Sequence, residues 1–264
     1  VKLPFSVYDF FAYLATGFVV LCAADYAFEG GWLEKDKLPT GMLIFLIVAG
    51  YVLGHFVAHL SSFFLEHMFL RKVLKSPEET LFKAKASGFW SYIFPIFYKP
   101  FPPETQQRVL AKAAAAGITK PGRGLFFHCF AIVKREKSTA ERLVTFLNVY
   151  GFSRNVCMAA LIAAVILAFA AIRNYDRAAG TGFEPAKLAW AGVSVAVAIV
   201  LFYRYLKFFK HYTQEVFRDY AELPGEVTAT APAQAAEPPA SISDEPPPAA
   251  GLDAPPEPED ASPA

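Results

Sequence analysis

The residues best suited to chemistry lie in one apolar run, where His55, His59, Ser62 and Glu66 are spaced i, i+4, i+7 and i+11. At roughly 100° per residue on an α-helix they fall within about 60° of one another, so the spacing predicts a single polar line down one helix face. Ionisable side chains inside a membrane helix are costly and point by default to function. Three chemistries compete for this line. The first is structural, with the polar groups hydrogen-bonding to partner helices. The second is a hydrated path or pore in an oligomer. The third is metal or catalytic chemistry. The structural reading ranks first. Asp9, Tyr13 and Thr16 make a similar stripe at matching depth in the first apolar run, and Arg154 and Asn155 stand at the matching end of the third. Beside the line, Gly50, Gly54 and Ala58 form a small-xxx-small ridge that lets two helices approach closely in lipid.

The metal reading weakens on detail. His55 and His59 can hold one ion from one helix face, but Glu66 lies seven residues further on. That is about 10 Å by helix rise, too far for the same ion. His67, His128 and His211 fall at or beyond the membrane interface, which disfavours a buried bis-histidine haem. No G-x-S-x-G, P-loop or zinc-protease motif is present. Cys22, Cys129 and Cys157 form no closely spaced pair and read as buried free thiols. No catalytic residue, metal ligand or cofactor site is therefore assigned, and an enzyme is the less favoured class.

The elements that position these residues are long apolar helices. The 264 residues are 55% hydrophobic and only 19% charged, against about a quarter charged in an ordinary soluble domain. Mean hydropathy is +0.32. A hydrocarbon core of about 30 Å needs about 20 apolar residues in helix, and four segments qualify. They run from about Val7 to Phe28, Gly41 to Leu65, Val156 to Ile172 and Ala186 to Tyr205. The first resembles a signal peptide, but no cleavage site follows it cleanly, so a retained helix is expected.

Charge placement gives the orientation. Residues 67–155 carry fifteen Lys and Arg against five Glu, and Arg204, Lys207 and Lys210 follow the fourth span. Basic segments stay on the cytoplasmic side, so both termini and the middle segment are expected there. The expected localisation is a bacterial-type inner membrane.

Within the middle segment, Ser76-Pro77-Glu78-Glu79 reads as a helix start and Ser138-Thr139-Ala140-Glu141 as a capping box. Further helices are expected over 106–116 and 124–134. A helix from 138 is expected to run into the third span, with Gly151 as a bend. The run from Phe89 to Tyr98, with Trp90, Tyr92, Phe94 and Phe97, fits either a segment lying at headgroup level or the core of a small helical cap. The fourth span should continue as a helix to about Leu223. Residues 226–264 hold eight acids and no Lys, Arg or aromatic residue, a composition that predicts disorder.

The expected fold class is an all-α integral membrane protein: four transmembrane helices, a helical cap between the second and third, and a disordered tail. The expected division is a first helix pair at 1–66, a basic cap at 67–155, a second pair with its extension at 156–223, and the tail from 224. Expected partners are anionic lipid headgroups, further copies of the chain or another membrane protein, and not nucleic acid. The leading function is non-enzymatic sensing or docking through the basic cap. An oligomeric ion pathway comes second and a lipid-modifying enzyme third.

Overall fold

The computed structural model describes residues 7–32, 35, 37–83, 88–173 and 182–224, with side chains from residue 10 onward. Every regular element among them is helical. In chain order these are α1 (Val7–Phe28), α2 (Thr40–Ser61), a wide π segment (Ser62–Leu74), α3 (Pro77–Thr80), α4 (Phe89–Ile93), α5 (Pro95–Tyr98), α6 (Pro103–Ala114), α7 (Arg123–Val133), α8 (Lys137–Arg173) and α9 (Pro185–Glu222). Four of the helical stretches are long and apolar enough to cross a membrane, and the chain is an integral membrane protein. In lipid a helix satisfies its own backbone polar groups, which is why isolated apolar runs of this length take no other form. The expected tail lies outside the described residues.

α1 and α2 meet at a glycine crossing. A Cβ on Gly17 would run into the Gly50 carbonyl oxygen, and one on Gly54 into the Tyr13 carbonyl. The two backbones therefore touch directly, the geometry that small-xxx-small ridges permit in lipid. α8 packs on α1, α2 and α9 through a face of small residues that includes Ala159, Ala160, Ala163 and Ala170. At the end away from the cap, Lys187 on α9 binds Glu29 after α1 at 3.0 Å and Glu184 at 2.7 Å.

The second span departs from the expected uniform helix. Its buried positions in α2 include Gly50, Gly54, Val57 and Ser61, spaced four, three and four. Beyond Ser61 the buried residues are Leu65, Leu70 and Leu74, spaced four, five and four. An α-helix repeating every 3.6 residues would carry Leu70 and Leu74 off the packed face. The i→i+5 winding of the π segment turns less per residue and keeps them on it. The buried positions thus change period where the helix changes winding.

α8 and α9 each run far longer than a bilayer requires. At 37 and 38 residues they extend about 55 Å, whereas the hydrocarbon core is about 30 Å. The surplus builds the cap. Tyr212, Val216, Phe217 and Tyr220 of α9 and Leu143 of α8 share one core with Leu81, Phe101, Val109, Leu125, Cys129 and Val133. α8 is continuous through Gly151. The capping box is also absent. Helix α8 begins at Lys137, one residue before Ser138, and the Ser138 hydroxyl lies 3.4 Å from Glu136 instead. Ser76 precedes α3 as expected but makes no side-chain cap bond.

The aromatic run divides between its two readings. It forms α4 and α5, with Phe94 and Phe97 buried, Trp90 and Tyr98 half-buried, and Phe89 and Tyr92 exposed. The buried members pack on Leu70, Leu74, Tyr205 and Leu206.

Candidate functional site

The expected single polar line is two separate features. In its upper half α2 is regular, and His55 and His59 are both exposed on the outer face of the bundle. His55 stacks on Tyr13 of α1 at 4.0 Å between ring centres, and Tyr51 meets it edge-on at 4.6 Å. Thr16 turns inward and donates to the Ala12 carbonyl of its own helix at 2.7 Å. Asp9 lies in the first turns of α1, and its side chain is outside the described residues.

In the lower half the π winding swings Glu66 towards α8. One Glu66 oxygen meets Arg154 at 2.5 Å, and the other lies 3.5 Å from Arg71. The Tyr150 hydroxyl donates to Glu66 at 3.3 Å. Arg154 also reaches the side-chain oxygen of Asn155 at 3.3 Å and lies over the Tyr150 ring at 5.7 Å. Ser61 completes the group, its hydroxyl donating to that same Asn155 oxygen at 2.6 Å. Ser62, the serine in the sequence pattern, is half-buried and has no such partner among the described residues, while the single Ser61 proton is shared with the Ala58 carbonyl, 2.8 Å from the hydroxyl oxygen. Of the small residues Gly50, Gly54 and Ala58, the two glycines are buried at the α1 crossing and Ala58 is half-buried.

Glu66 and Arg154 are only 20% and 13% exposed, so this pair sits largely out of solvent. Two cations and a phenol around one carboxylate satisfy most of its acceptor sites, which is what a charge withdrawn from water requires. Beside it, the Tyr205 hydroxyl is fully enclosed and has no hydrogen-bond partner among the described residues, while its ring stacks on Tyr150 at 5.6 Å. Sequence reasoning singled out Glu66, Arg154 and Asn155 but missed Ser61, Tyr150 and Tyr205. Ser61 carried a usable signal, since it continues the Gly50, Gly54 and Val57 face. Tyr150 and Tyr205 carried none, because each belongs equally well to an ordinary apolar stripe.

Among the described residues no group of three or more His, Cys, Asp or Glu could hold a metal ion. His128 and Cys129 form no reactive pair. Burial pushes the Cys129 thiol up to about 12, and His128 turns towards the Tyr220 hydroxyl at 3.4 Å. At neutral pH that thiol stays protonated, and the thiolate is the nucleophile.

Three cavities among the described residues differ in character. An apolar recess of about 620 Å³ between the π segment and α8 is lined by residues such as Leu60, Phe64, Met68, Met158 and Leu161. A polar pocket of about 390 Å³ is lined by residues that include Arg71, Lys72, Lys75, Arg123, Glu78 and Glu79, and one Glu78 oxygen is buried without a partner among the described residues. The third is a groove between α4–α5 and α9.

The cap surface is basic and largely unneutralised. Lys120, Arg123, Lys134 and Lys137, which flank α7, are exposed and make no ion pair among the described residues. Arg142 differs, meeting Glu215 at 3.3 Å and Asp219 at 3.0 Å. The chain matches no family model, no curated protein and no solved structure.

Proposed function

We propose that this protein is a non-catalytic membrane docking module, with its basic cap and both termini on the cytoplasmic side. One observation carries the reading: α8 and α9 pass unbroken from the membrane-spanning bundle into the core of the cap. A surface built on two continuous helices is held at fixed height and angle above the bilayer. Its unpaired cations around α7 suit an acidic partner protein, because complementary charge steers encounter and orients the complex. Sidedness follows the distribution of Lys and Arg. The Glu66–Arg154 cluster supports the reading as a clamp. It ties the second span to α8 where α8 enters the cap, so the cap cannot turn independently of the bundle.

A photo-crosslinking residue placed at Lys134 in cells should capture a discrete acidic protein. Reversing Lys120, Arg123, Lys134 and Lys137 to Glu should abolish that adduct while all four spans still insert. Crosslinking that reports only lipid, or an adduct unchanged by charge reversal, refutes the docking reading.

The exposed histidines favour a second reading, in which copies of the chain meet along the outer face of α2. Imidazoles facing hydrocarbon are costly, and a facing copy would give them partners and a polar path. Purified protein in liposomes should then pass ions with a pH response that His59→Ala alters. Liposomes that stay tight at every pH exclude it.

A further inference from the structure

The groove between α4–α5 and α9 encloses about 630 Å³. Its floor is apolar, made of Phe94, Phe97 and Leu206, which are 7%, 3% and 2% exposed. Its walls, Tyr92, Ile96 and Val200, are open to the surroundings. At its mouth stand Arg204 and Lys207, one helical turn apart on α9. Both are exposed, and neither meets a carboxylate or a hydrogen-bond acceptor among the described residues. The Arg204 guanidinium lies only over the Phe208 ring, at 5.1 Å.

The groove is fastened in place. The Tyr203 hydroxyl donates to the Ile93 carbonyl at 2.8 Å, the Tyr98 hydroxyl to the Leu74 carbonyl at 2.6 Å, and the Lys210 ammonium to the carbonyls of Ile96 and Lys99. The Tyr203 and Lys210 bonds hold the short aromatic helices against α9, and the Tyr98 bond holds them against the end of the π segment. Val200 lies inside the fourth apolar run, and Arg204 and Lys207 lie where that run ends. The groove therefore crosses the boundary between hydrocarbon and headgroups, apolar on one side of it and cationic on the other.

We propose that this groove holds an anionic phospholipid, with an acyl chain along Val200, Ile96 and Phe94 and the phosphate between Arg204 and Lys207. Charge complementarity selects the occupant: two unpaired cations at headgroup depth attract an anion, and the apolar channel below them fits its hydrocarbon chain. Tyr203 and Tyr92 suit the same depth, where amphipathic rings concentrate. The assignment goes beyond the docking reading and stands without it.

The test uses the full chain in detergent, titrated with dioleoyl phosphatidylglycerol and separately with dioleoyl phosphatidylcholine, with retained lipid counted by native mass spectrometry. Arg204→Gln with Lys207→Gln should weaken phosphatidylglycerol retention about thirty-fold, from about tenfold per 1.4 kcal/mol and about 1 kcal/mol for each cation near the surface. Phosphatidylcholine, whose choline cation is repelled by the same pair, should be held more weakly by the wild type and change less. Val200→Trp, which fills the channel and keeps both charges, should also lose phosphatidylglycerol. Lys120→Gln with Lys134→Gln, on the docking surface, should leave the lipid bound. Equal retention by wild type and either groove variant overturns the proposal. So does displacement of the lipid by millimolar inorganic phosphate with Val200→Trp silent, since that marks a free-anion site.

Discussion

The two halves of the second span begin from the same sequence pattern and end in opposite environments. Above Ser61 the helix is regular, two glycines press it onto α1, and its histidines are left on the outside. Below Ser61 the winding widens, three leucines hold it against the bundle, and its carboxylate is enclosed by Arg154, Arg71 and Tyr150. The difference teaches that a polar stripe read at constant pitch is only as continuous as the pitch. The upper histidines stay exposed, with His55 adding only a ring stack on Tyr13 beside the glycine crossing, whereas the lower polar residues are enclosed and bond directly between helices.

Gly54→Leu attacks the upper half where it is tightest. The new side chain must displace the Tyr13 backbone, so the α1–α2 crossing should open at a cost of roughly 3 kcal/mol or more, read by SDS-induced unfolding in mixed micelles. Arg154→Ala attacks the lower half. It strips the partner from a largely enclosed carboxylate and should cost about 2–4 kcal/mol in the same assay. Replacing both members, as Glu66→Gln with Arg154→Met, should recover most of that loss, because no charge is then left uncompensated. If the double variant is as damaged as Arg154→Ala, the lower half is held by something other than its ion pair.

Tyr205→Phe should move stability the other way. It removes a buried hydroxyl that has no partner, so a gain of about 1 kcal/mol is expected. A loss instead would show that this hydroxyl binds a group the cluster needs. His59→Ala should have the smallest effect, less than about 0.5 kcal/mol on the monomer in micelles, because the side chain is exposed. A clear loss on moving to a bilayer would mean that a second copy covers it, and the two halves would then be alike in both serving as contacts.

Much of the architecture was legible from composition and period. Four long apolar runs, a basic helical segment between the second and third, and the continuation of the fourth helix to about Leu223 all appear where the residues suggested. Pro185 opens α9 as expected of a proline in a first helical turn. Local signals fared less well. Ser138 and Glu141 have the spacing of a capping box, yet α8 begins before them. Gly151 lies inside α8, which is continuous across it. In both places the helix follows the packing of its long apolar face, which outweighs a single cap or glycine worth about 1 kcal/mol.

The sequence by itself determined that the chain crosses a membrane and where its charge gathers, because both depend on the sum of many side chains and tolerate local error. Tertiary structure alone decided which polar residues meet. Ser61 rather than Ser62 faces Asn155, and Glu66 rather than either histidine is enclosed. Ser61 lies on the packed face of the regular helix, whereas the placement of Glu66 follows a change of winding after Ser61, which rotates every later side chain together. The signal was present in the spacing of Ser61, Leu65, Leu70 and Leu74, but it gains meaning only once α8 shows which face is buried. A helix period can be counted along one chain, whereas the face it presents is set by the neighbour it packs against.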